Sequence, residues 1–323
     1  MIKSITYQFI LFASFIGLTV LLNGCTKEVT IDIPGYKEQL VIDGRIETDS
    51  PPFVLLSKSM EVYASTDLEA FLNGFISGAV VTVSNGTTTV ILSEICSDNL
   101  PPGTEELAAS MFGIPVSELA NYQLCAYTSF DPAIWGEIGK TYTLTVSYEG
   151  QTYTAETSIV SPTSFDNSYW QPDGDTPNHG FSWVTLSDPG GVFDAYKWEV
   201  KRIDLDENGE ERDQSFMPTF SPVFDDEFFD GLTFDFWYEN PYAYGEGYTE
   251  DTEWLFEQGD TVVIKLSKMD EPLYEFMEKK YIQLQTAGNP FATPTNIPSN
   301  IQGGALGVWA GYSPSFDTLV CEP

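Results

Sequence analysis

The chain is poor in basic residues. It carries 14 Lys and Arg against 48 Asp and Glu, which gives a formal net charge of −34. Binding to nucleic acid depends mainly on neutralising phosphates with Lys and Arg, so this charge excludes a nucleic-acid-binding protein. Anionic lipid headgroups would repel the chain as well. The excess of carboxylates has two open interpretations: it keeps the protein soluble, or it binds divalent cations or a basic partner.

Histidine is nearly absent, since His179 is the only one in the chain. This removes most Ser/His/Asp and Cys/His catalytic arrangements, and the sequence has no Gly-x-Ser-x-Gly motif, no Walker loop and no dinucleotide-binding glycine cluster. A pair of carboxylates can hydrolyse a glycosidic bond, but the sequence does not single out a pair. We therefore predict a protein without enzymatic activity, with a carboxylate-dependent glycan hydrolase as the alternative.

Cysteine is scarce, and the four cysteines do not form a Cys-x-x-Cys motif, which argues against a zinc site. If the protein is exported, a disulfide is expected among Cys96, Cys125 and Cys321. Cys96 and Cys125 flank one insertion, so we predict that these two pair. Cys321 would then stay unpaired.

The chain has a single long apolar run, and it lies near the start. Lys3 precedes the run from Ile5 to Leu22, which leads into Leu22-Asn23-Gly24-Cys25. This is typical of a secretory signal peptide, and the cysteine after the cut resembles the lipobox of bacterial lipoproteins. We predict a signal peptide over 1–24 and lipidation of Cys25, as by palmitate, which anchors the protein in a membrane. The alternative is an uncleaved membrane helix, although Gln8 interrupts the run and no basic stop follows.

Strand and turn signals dominate the first half of the remaining chain. Residues 25–37 form a short tether, and Leu40–Ile46 is predicted as the first strand. Two hairpins follow, with Asn85-Gly86 as a two-residue type I′ turn and Glu149-Gly150 as the second turn. We therefore predict a β-sandwich of the immunoglobulin-like or transthyretin-like kind over residues 38–160.

The segment between the hairpins, about residues 97–137, is predicted as a helical insertion. Thr104 can cap a short helix through Met111, with Gly113 as its stop, and another turn or two can follow from Ser117. We interpret the insertion as a lid or a partner-facing loop.

The second half, residues 161–323, is predicted as a separate β-rich domain with one amphipathic helix. It begins with a loop rich in Pro, Gly, Asp and Asn that runs to His179. The helix is expected over residues 271–286, with Asp270 as its N-cap. Its apolar stripe consists of Leu273, Phe276, Met277, Tyr281 and Leu284.

The segment from Phe224 to Phe256 holds twelve aromatic residues, ten carboxylates and no basic residue. Aromatic rings beside carboxylates suit a sugar-binding platform, and they can also receive a cationic ligand. The alternative is strand alternation, with Phe234, Phe236 and Tyr238 on a core face and Asp235, Trp237 and Glu239 on the other. The candidate ligand-binding residues are Phe234, Trp237, Tyr242, Tyr244 and Trp254.

A possible calcium loop begins at Asp204, where Asp204, Asp206 and Asn208 alternate before Gly209. The twelfth position should be Glu, but it is Ser215. A β-hairpin with Asn208-Gly209 at its tip is therefore the alternative structure. A calcium-stabilised surface adhesion module is a further alternative function.

The C-terminal region carries a family resemblance. The stretch from Asn289-Pro290-Phe291 to Asn300, Gly303, Gly304 and Gly307 is similar to the signature of the domain-of-unknown-function 4249 family of Bacteroidota lipoproteins. The chain departs from it at Ala305, which separates the Gly-Gly pair from Leu306. The glycines also have a structural interpretation, because they permit bulges and close backbone approach within a strand.

The resemblance implies a location rather than an activity. That family has no assigned activity, and its genes often accompany TonB-dependent transporters of the outer membrane. The resemblance therefore implies an outer-membrane lipoprotein that assists uptake as a binding or accessory component, with a TonB-dependent transporter as its expected partner. A glycan or a peptide is the expected ligand. Glu28 is the one acidic residue just after Cys25, which slightly favours the cell surface over the periplasmic face.

Overall fold

The computed structural model describes residues 37–60 and 74–322, apart from 101–102, 113, 115, 120, 123, 177, 207–208, 210, 214, 245–247, 287–288, 290–292 and 294–295. The protein is mainly β, with 47% strand and 12% helix, as predicted. The predicted signal peptide, Cys25 and nearly all of the tether lie outside the described residues. Within the described part, none of the helices combines the length and the hydropathy that a bilayer span requires.

The described residues form sixteen strands and three α-helices, besides short 3-10 helices at Ser97–Asn99 and Pro132–Ile134. The strands are β1 Leu40–Glu47, β2 Phe53–Lys58, β3 Val80–Ser84, β4 Thr89–Ile91, β5 Ser93–Cys96, β6 Cys125–Thr128, β7 Thr141–Tyr148, β8 Gln151–Ser158, β9 Phe165–Pro172, β10 His179–Ser187, β11 Ala195–Arg202, β12 Met217–Asp225, β13 Thr233–Tyr238, β14 Phe256–Glu257, β15 Thr261–Met269 and β16 Leu306–Val320. The helices are α1 Glu105–Phe112, α2 Val116–Leu119 and α3 Glu271–Gln285.

The strands are arranged in three sheets. The largest has eight strands in the order β12-β11-β15-β16-β1-β2-β6-β5. A second sheet has the order β4-β3-β7-β8, and a third has the order β13-β10-β14 with β9 paired to β10. The pair β1 and β16 is parallel, with Asp43 opposite Val308.

Two apolar cores lie on the inner side of the eight-stranded sheet. The first lies between this sheet and the β4-β3-β7-β8 sheet, and it includes Ile42, Val54, Val81, Leu144 and Trp309. The second lies between β11 and β15 and the small third sheet, and it includes Trp198, Val184, Ile264 and Leu319. Strand β16 therefore contributes to both cores.

One sheet joins the two predicted domains, because β1, β2, β5 and β6 pair in it with β11, β12, β15 and β16. The division into residues 38–160 and 161–323 stays a prediction, as does the immunoglobulin-like or transthyretin-like topology. At the junction, Gly307 has φ +102°, and a Cβ there would lie 2.0 Å from the Ile42 carbonyl oxygen. Glycine is thus required where β16 meets β1.

Both predicted hairpins are present, but one turn differs. Glu149 and Gly150 have φ values of 48° and 77°, as a two-residue type I′ turn requires. The two-residue turn predicted at Asn85-Gly86 is wrong, because β3 ends at Ser84 and β4 begins at Thr89. The Asn85 Oδ1 accepts hydrogen bonds from the backbone N–H groups of Thr87 and Thr88, which stabilises a four-residue loop instead.

Two other boundaries differ from the prediction. The predicted loop before His179 contains strand β9, which contributes Trp170 to the second core and packs Phe165 against it. The helical part of the insertion is narrower than 97–137, because β6 joins the sheet between β2 and β5. The prediction for α3 is confirmed, since the Asp270 Oδ1 accepts the N–H of Leu273 at 3.2 Å.

The stripe of α3 is confirmed only in part. Leu273, Phe276 and Met277 are buried against β16, and Tyr281 packs at the edge of the same cluster. Leu284 is 59% exposed, so the stripe ends before it.

Candidate ligand-binding groove

A groove of about 690 Å³ lies on the outer face of the eight-stranded sheet. Helix α3 lines one side with Met277, Lys280 and Tyr281, and the insertion lines the other side with Thr104, Ala108 and Phe112. The floor consists of the outward residues of the strands. These include Asp43, Arg45, Glu47, Phe53, Lys197, Glu199, Lys265, Val308, Ala310 and Tyr312.

The floor follows from strand alternation. On β1, Ile42, Gly44 and Ile46 face the first core, so Asp43, Arg45 and Glu47 point to the other side. Phe53 lies opposite Arg45 in the register of β1 and β2, and the Arg45 guanidinium carbon is 4.8 Å from the centre of its ring. The ring of Phe53 also packs edge-on against Phe112 of α1 at 6.4 Å.

Four charged side chains form a chain of ion pairs across the floor. Lys197 Nζ is 2.7 Å from Glu199 Oε1, and Glu199 Oε2 is 3.9 Å from Lys265 Nζ. Lys265 Nζ is also 2.8 Å from Glu47 Oε1. The two glutamates balance the two lysines, so these linked ion pairs add no net charge to the floor of the groove.

Arg45 and Lys280 add two further cations to the groove. Within the described part of the chain, neither makes an ion pair within 4.0 Å. Together with Asp43, the groove has four basic and three acidic side chains, whereas the whole chain has 14 basic and 48 acidic residues. The groove is therefore locally basic within a strongly acidic protein.

Two phenols of the groove stay protonated. Burial raises the pKa of Tyr281, and the nearby Glu199 carboxylate raises it further. Burial likewise raises the pKa of Tyr312 well above its ordinary value, and Glu199 again contributes. Both hydroxyls are thus neutral hydrogen-bonding groups at physiological pH.

The predicted disulfide is confirmed, and it anchors the insertion. Cys96 and Cys125 face each other in the register of β5 and β6, and their sulfurs are bonded. The bond closes the segment that contains α1 and α2, which carries one wall of the groove. Cys321 is free and buried.

The predicted aromatic residues do not form one site. Phe234 faces the second core, whereas Trp237 lies on the outer face of the small sheet with 48% exposure. This confirms strand alternation in β13. Tyr242 is half-buried, and its hydroxyl donates to the Ser215 carbonyl. Tyr244 and Trp254 stack on each other at 4.7 Å in a separate loop.

A different aromatic set meets around Trp237. The register places Trp183 of β10 between Trp237 of β13 and Tyr169 of β9. The rings of Tyr169 and Trp183 are stacked at 6.1 Å, and Phe181 lies 4.3 Å from Trp237. We call these four residues, Tyr169, Phe181, Trp183 and Trp237, the aromatic face.

The predicted calcium residues are only partly described, because Asn208 lies outside the described residues. Asp204 Oδ2 accepts the backbone N–H of Thr261 at 2.6 Å. Leu205 pairs with Glu211 in an antiparallel bridge, and Gly209 has φ +83°. Among the described residues, this segment has the features of the alternative hairpin.

The signature residues that are described have structural contacts. The Asn300 side chain bonds both backbone groups of Trp309, at 3.0 Å and 2.8 Å. Gly303 and Gly304 have φ values of 102° and 90°. Asn289 bonds the Thr286 carbonyl at 3.1 Å through its N–H, and Pro290 and Phe291 lie outside the described residues.

The sequence did not predict the groove. Its residues come from β1, β2, β5, β6, β11, β15, β16, α1 and α3, and only the fold brings them together. The one local signal was the charged alternation of Asp43, Arg45 and Glu47 beside a buried strand face.

A model of the family "Domain of unknown function (DUF4249)" matches residues 26–316. The chain therefore belongs to the DUF4249 family, as the C-terminal resemblance indicated. No curated protein and no solved structure matches it.

Proposed function

We propose that this protein is an outer-membrane lipoprotein that binds a small amphipathic carboxylate in the groove, as an accessory component of uptake. One observation carries the proposal: four of the 14 basic residues of a strongly acidic chain line one groove. Pockets of roughly 300–1,000 Å³ are typical of small-molecule sites.

The groove is suited to a ligand with two unlike ends. Phe112, which packs on the buried ring of Phe53, offers apolar surface on one side, next to Arg45. Arg45 and Lys280 have no acidic partner within 4.0 Å among the described residues, so a carboxylate is the counter-charge that they lack. Charge-assisted hydrogen bonds of this kind are about twice as strong as neutral ones.

A matched pair of probes tests this preference. Dansyl-labelled undecanoate carries a carboxylate, and its methyl ester is apolar but uncharged. We expect the acid to bind saturably, with an increase in dansyl fluorescence, and the ester to bind at least about tenfold more weakly, since a charged hydrogen bond contributes about 1.5–3 kcal/mol.

Variants assign the binding to the groove. Arg45→Gln combined with Lys280→Gln should weaken binding of the acid about tenfold or more and leave the ester unchanged. Lys140→Gln is the matched control, because Lys140 pairs with Glu137 at 3.8 Å and does not line the groove. Equal binding of acid and ester, or equal loss in the control, contradicts the proposal.

The lipid anchor and the transporter partner are proposed with the same function. They rest on the lipobox-like residues before Cys25 and on membership of the DUF4249 family. Metabolic labelling with an alkyne analogue of palmitate should mark the full chain and fail to mark Cys25→Ser. A tagged chain should co-purify with a TonB-dependent transporter from detergent-solubilised outer membranes, and its absence contradicts this part.

Glycan binding on the aromatic face is the second candidate. Tyr169, Trp183 and Trp237 lie side by side across three strands, and hydrogen-bonding groups such as Asp235 lie one pair further along the same face. In affinity electrophoresis, a polysaccharide that the protein binds is cast into a native gel and slows the migration of the protein. Trp237→Ala should abolish this retardation. Val192→Ala is a control, because Val192 is exposed at 58% outside this face. The absence of retardation by any of a broad polysaccharide panel removes this candidate.

A further inference from the structure

Three aspartates converge at one end of the second core. Asp188 follows β10, Asp194 precedes β11 and Asp226 follows β12. They are 6%, 3% and 4% exposed. One carboxylate oxygen from each lies within 4.8 Å of the others.

The charges of this cluster do not balance. Among the described residues, Lys268 is the one cation in contact, with its Nζ 2.6 Å from Asp194 Oδ1, and it also donates to Thr163 Oγ1 at 3.3 Å. The other donors to these carboxylates in the described part of the chain are neutral, and both bond Asp188. The Tyr196 hydroxyl donates to its Oδ1 at 2.6 Å and the Gly231 N–H donates to its Oδ2 at 3.2 Å. Ionised, the cluster keeps two uncompensated negative charges away from water, which is costly.

Asp194 Oδ2 is buried and has no hydrogen-bond partner among the described residues. A buried carboxylate oxygen without a donor is rare in folded proteins. Burial raises the pKa of Asp194, and Asp188 and Asp226 raise it further against the opposing effect of Lys268. The ionised form of Asp194 is therefore destabilised by its surroundings, and a cation beside its Oδ2 would stabilise it.

The spacing is that of ligands to one calcium ion. Calcium binds carboxylate oxygens at about 2.3–2.6 Å, so two oxygens on one ion are at most about 5 Å apart. The donor set consists of oxygens alone, which favours a hard cation over zinc. Magnesium keeps several waters, and residues this deeply buried leave little room for them.

We propose that Asp188, Asp194 and Asp226 bind one calcium ion, which ties together the ends of β10, β11 and β12. The ion supplies the missing positive charge and a partner for Asp194 Oδ2. The oxygens of Asp188 can still contribute, because each carboxylate oxygen has a second acceptor position. This site is separate from the groove and from the sequence-predicted residues Asp204 and Asp206.

The test uses the purified full chain, stripped with EDTA and moved to chelator-free buffer. Terbium replaces calcium and emits when a nearby aromatic ring is excited, and the Tyr196 hydroxyl contacts Asp188 directly. We expect terbium luminescence that saturates at one equivalent and is displaced by calcium chloride. Calcium should also raise the Tm of the stripped protein by several degrees.

Asp226→Asn should abolish the terbium signal and the calcium-dependent rise in Tm. Asp204→Asn is the matched control and should retain both. If the wild-type Tm is the same in calcium and EDTA and no terbium binds, the proposal is overturned, and the carboxylates share a proton instead. Loss of the signal in Asp204→Asn alone also overturns it, since the ion would then lie in the other loop. If a variant fails to fold, the terbium luminescence and the calcium-dependent Tm of the wild type still decide whether the ion binds.

Discussion

Asn300 holds Trp309 by both of its backbone groups. The Asn300 Oδ1 accepts the Trp309 N–H at 3.0 Å, and the Nδ2 donates to the Trp309 carbonyl at 2.8 Å. The same Nδ2 donates to the Glu156 carbonyl of β8 at 3.0 Å, and the Trp309 indole donates to the Tyr142 carbonyl at 3.0 Å. Asn300 and Trp309 thus connect β16, the C-terminal strand of the chain, to the β4-β3-β7-β8 sheet.

Asn300→Ala should destabilise the protein by about 2–3 kcal/mol, because it leaves several backbone groups without their partner. Urea unfolding measures this as a lower midpoint with an unchanged slope. Asn296→Ala is the control, since Asn296 is exposed and its removal should change stability by less than about 0.5 kcal/mol. Equal costs for the two variants would show that the clamp contributes nothing.

Gly307→Ala should be far more costly than Gly86→Ala. Both glycines have positive φ, but a Cβ at Gly307 would lie 2.0 Å from the Ile42 carbonyl oxygen, whereas one at Gly86 meets nothing within 4 Å. Gly86→Ala then costs only the strain of the left-handed region, about 1–2 kcal/mol. Gly307→Ala must also push β16 away from β1, so its Tm should fall much further or the protein should not fold. Similar Tm values for the two variants would contradict this explanation.

Local sequence signals predicted the elements better than they predicted the site. Three predictions that depend on neighbouring residues are confirmed: the hairpin turn at Glu149-Gly150, the Asp270 cap, and the alternation of Phe234 and Trp237. The insertion of β16 between β15 and β1 depends on contacts over more than 200 residues, which no local period indicates. The groove exists only because of such long-range pairing. The cluster of Asp188, Asp194 and Asp226 joins the ends of three consecutive strands that belong to two different sheets, so it depends on how those sheets pack.

Removal of the disulfide should affect stability and the groove together. Cys96 and Cys125 are separated by 29 residues, and a loop of that size contributes about 3–4 kcal/mol in the chain-entropy model. The double variant Cys96→Ser with Cys125→Ser should therefore have a lower Tm. It should also bind dansyl-labelled undecanoate more weakly, because α1 loses its anchor beside Phe53. An unchanged Tm with weaker binding would separate the two effects and contradict the stability part.

Thiol titration tests the lipid anchor independently. Cys96 and Cys125 are oxidised and Cys321 is free and buried. In native conditions at pH 8 we expect no reaction with Ellman's reagent. In denaturant the membrane-extracted protein should titrate one thiol, from Cys321, because the sulfur of a lipidated Cys25 is blocked. Two thiols in denaturant would show an unmodified Cys25.

Cys321 should also make the protein less stable at alkaline pH. Burial raises the pKa of its thiol from 9.0 to about 12, with a further contribution from Asp260. Between these values the folded state keeps a proton that the unfolded state has lost, so the free energy of unfolding falls as pH rises, by at most about 1.4 kcal/mol per pH unit for one group.

The buried tyrosines act in the same direction but at higher pH, because an unfolded tyrosine ionises near 10. The contribution of Cys321 should therefore be clearest between pH 9 and pH 10. Urea unfolding of the wild type and of Cys321→Ala over this range should give a smaller slope of stability against pH for the variant. Since the substitution also removes buried volume, the slope is compared rather than the stability itself. Parallel slopes would contradict this prediction, because they would mean that the thiol has the same pKa in the folded and unfolded states.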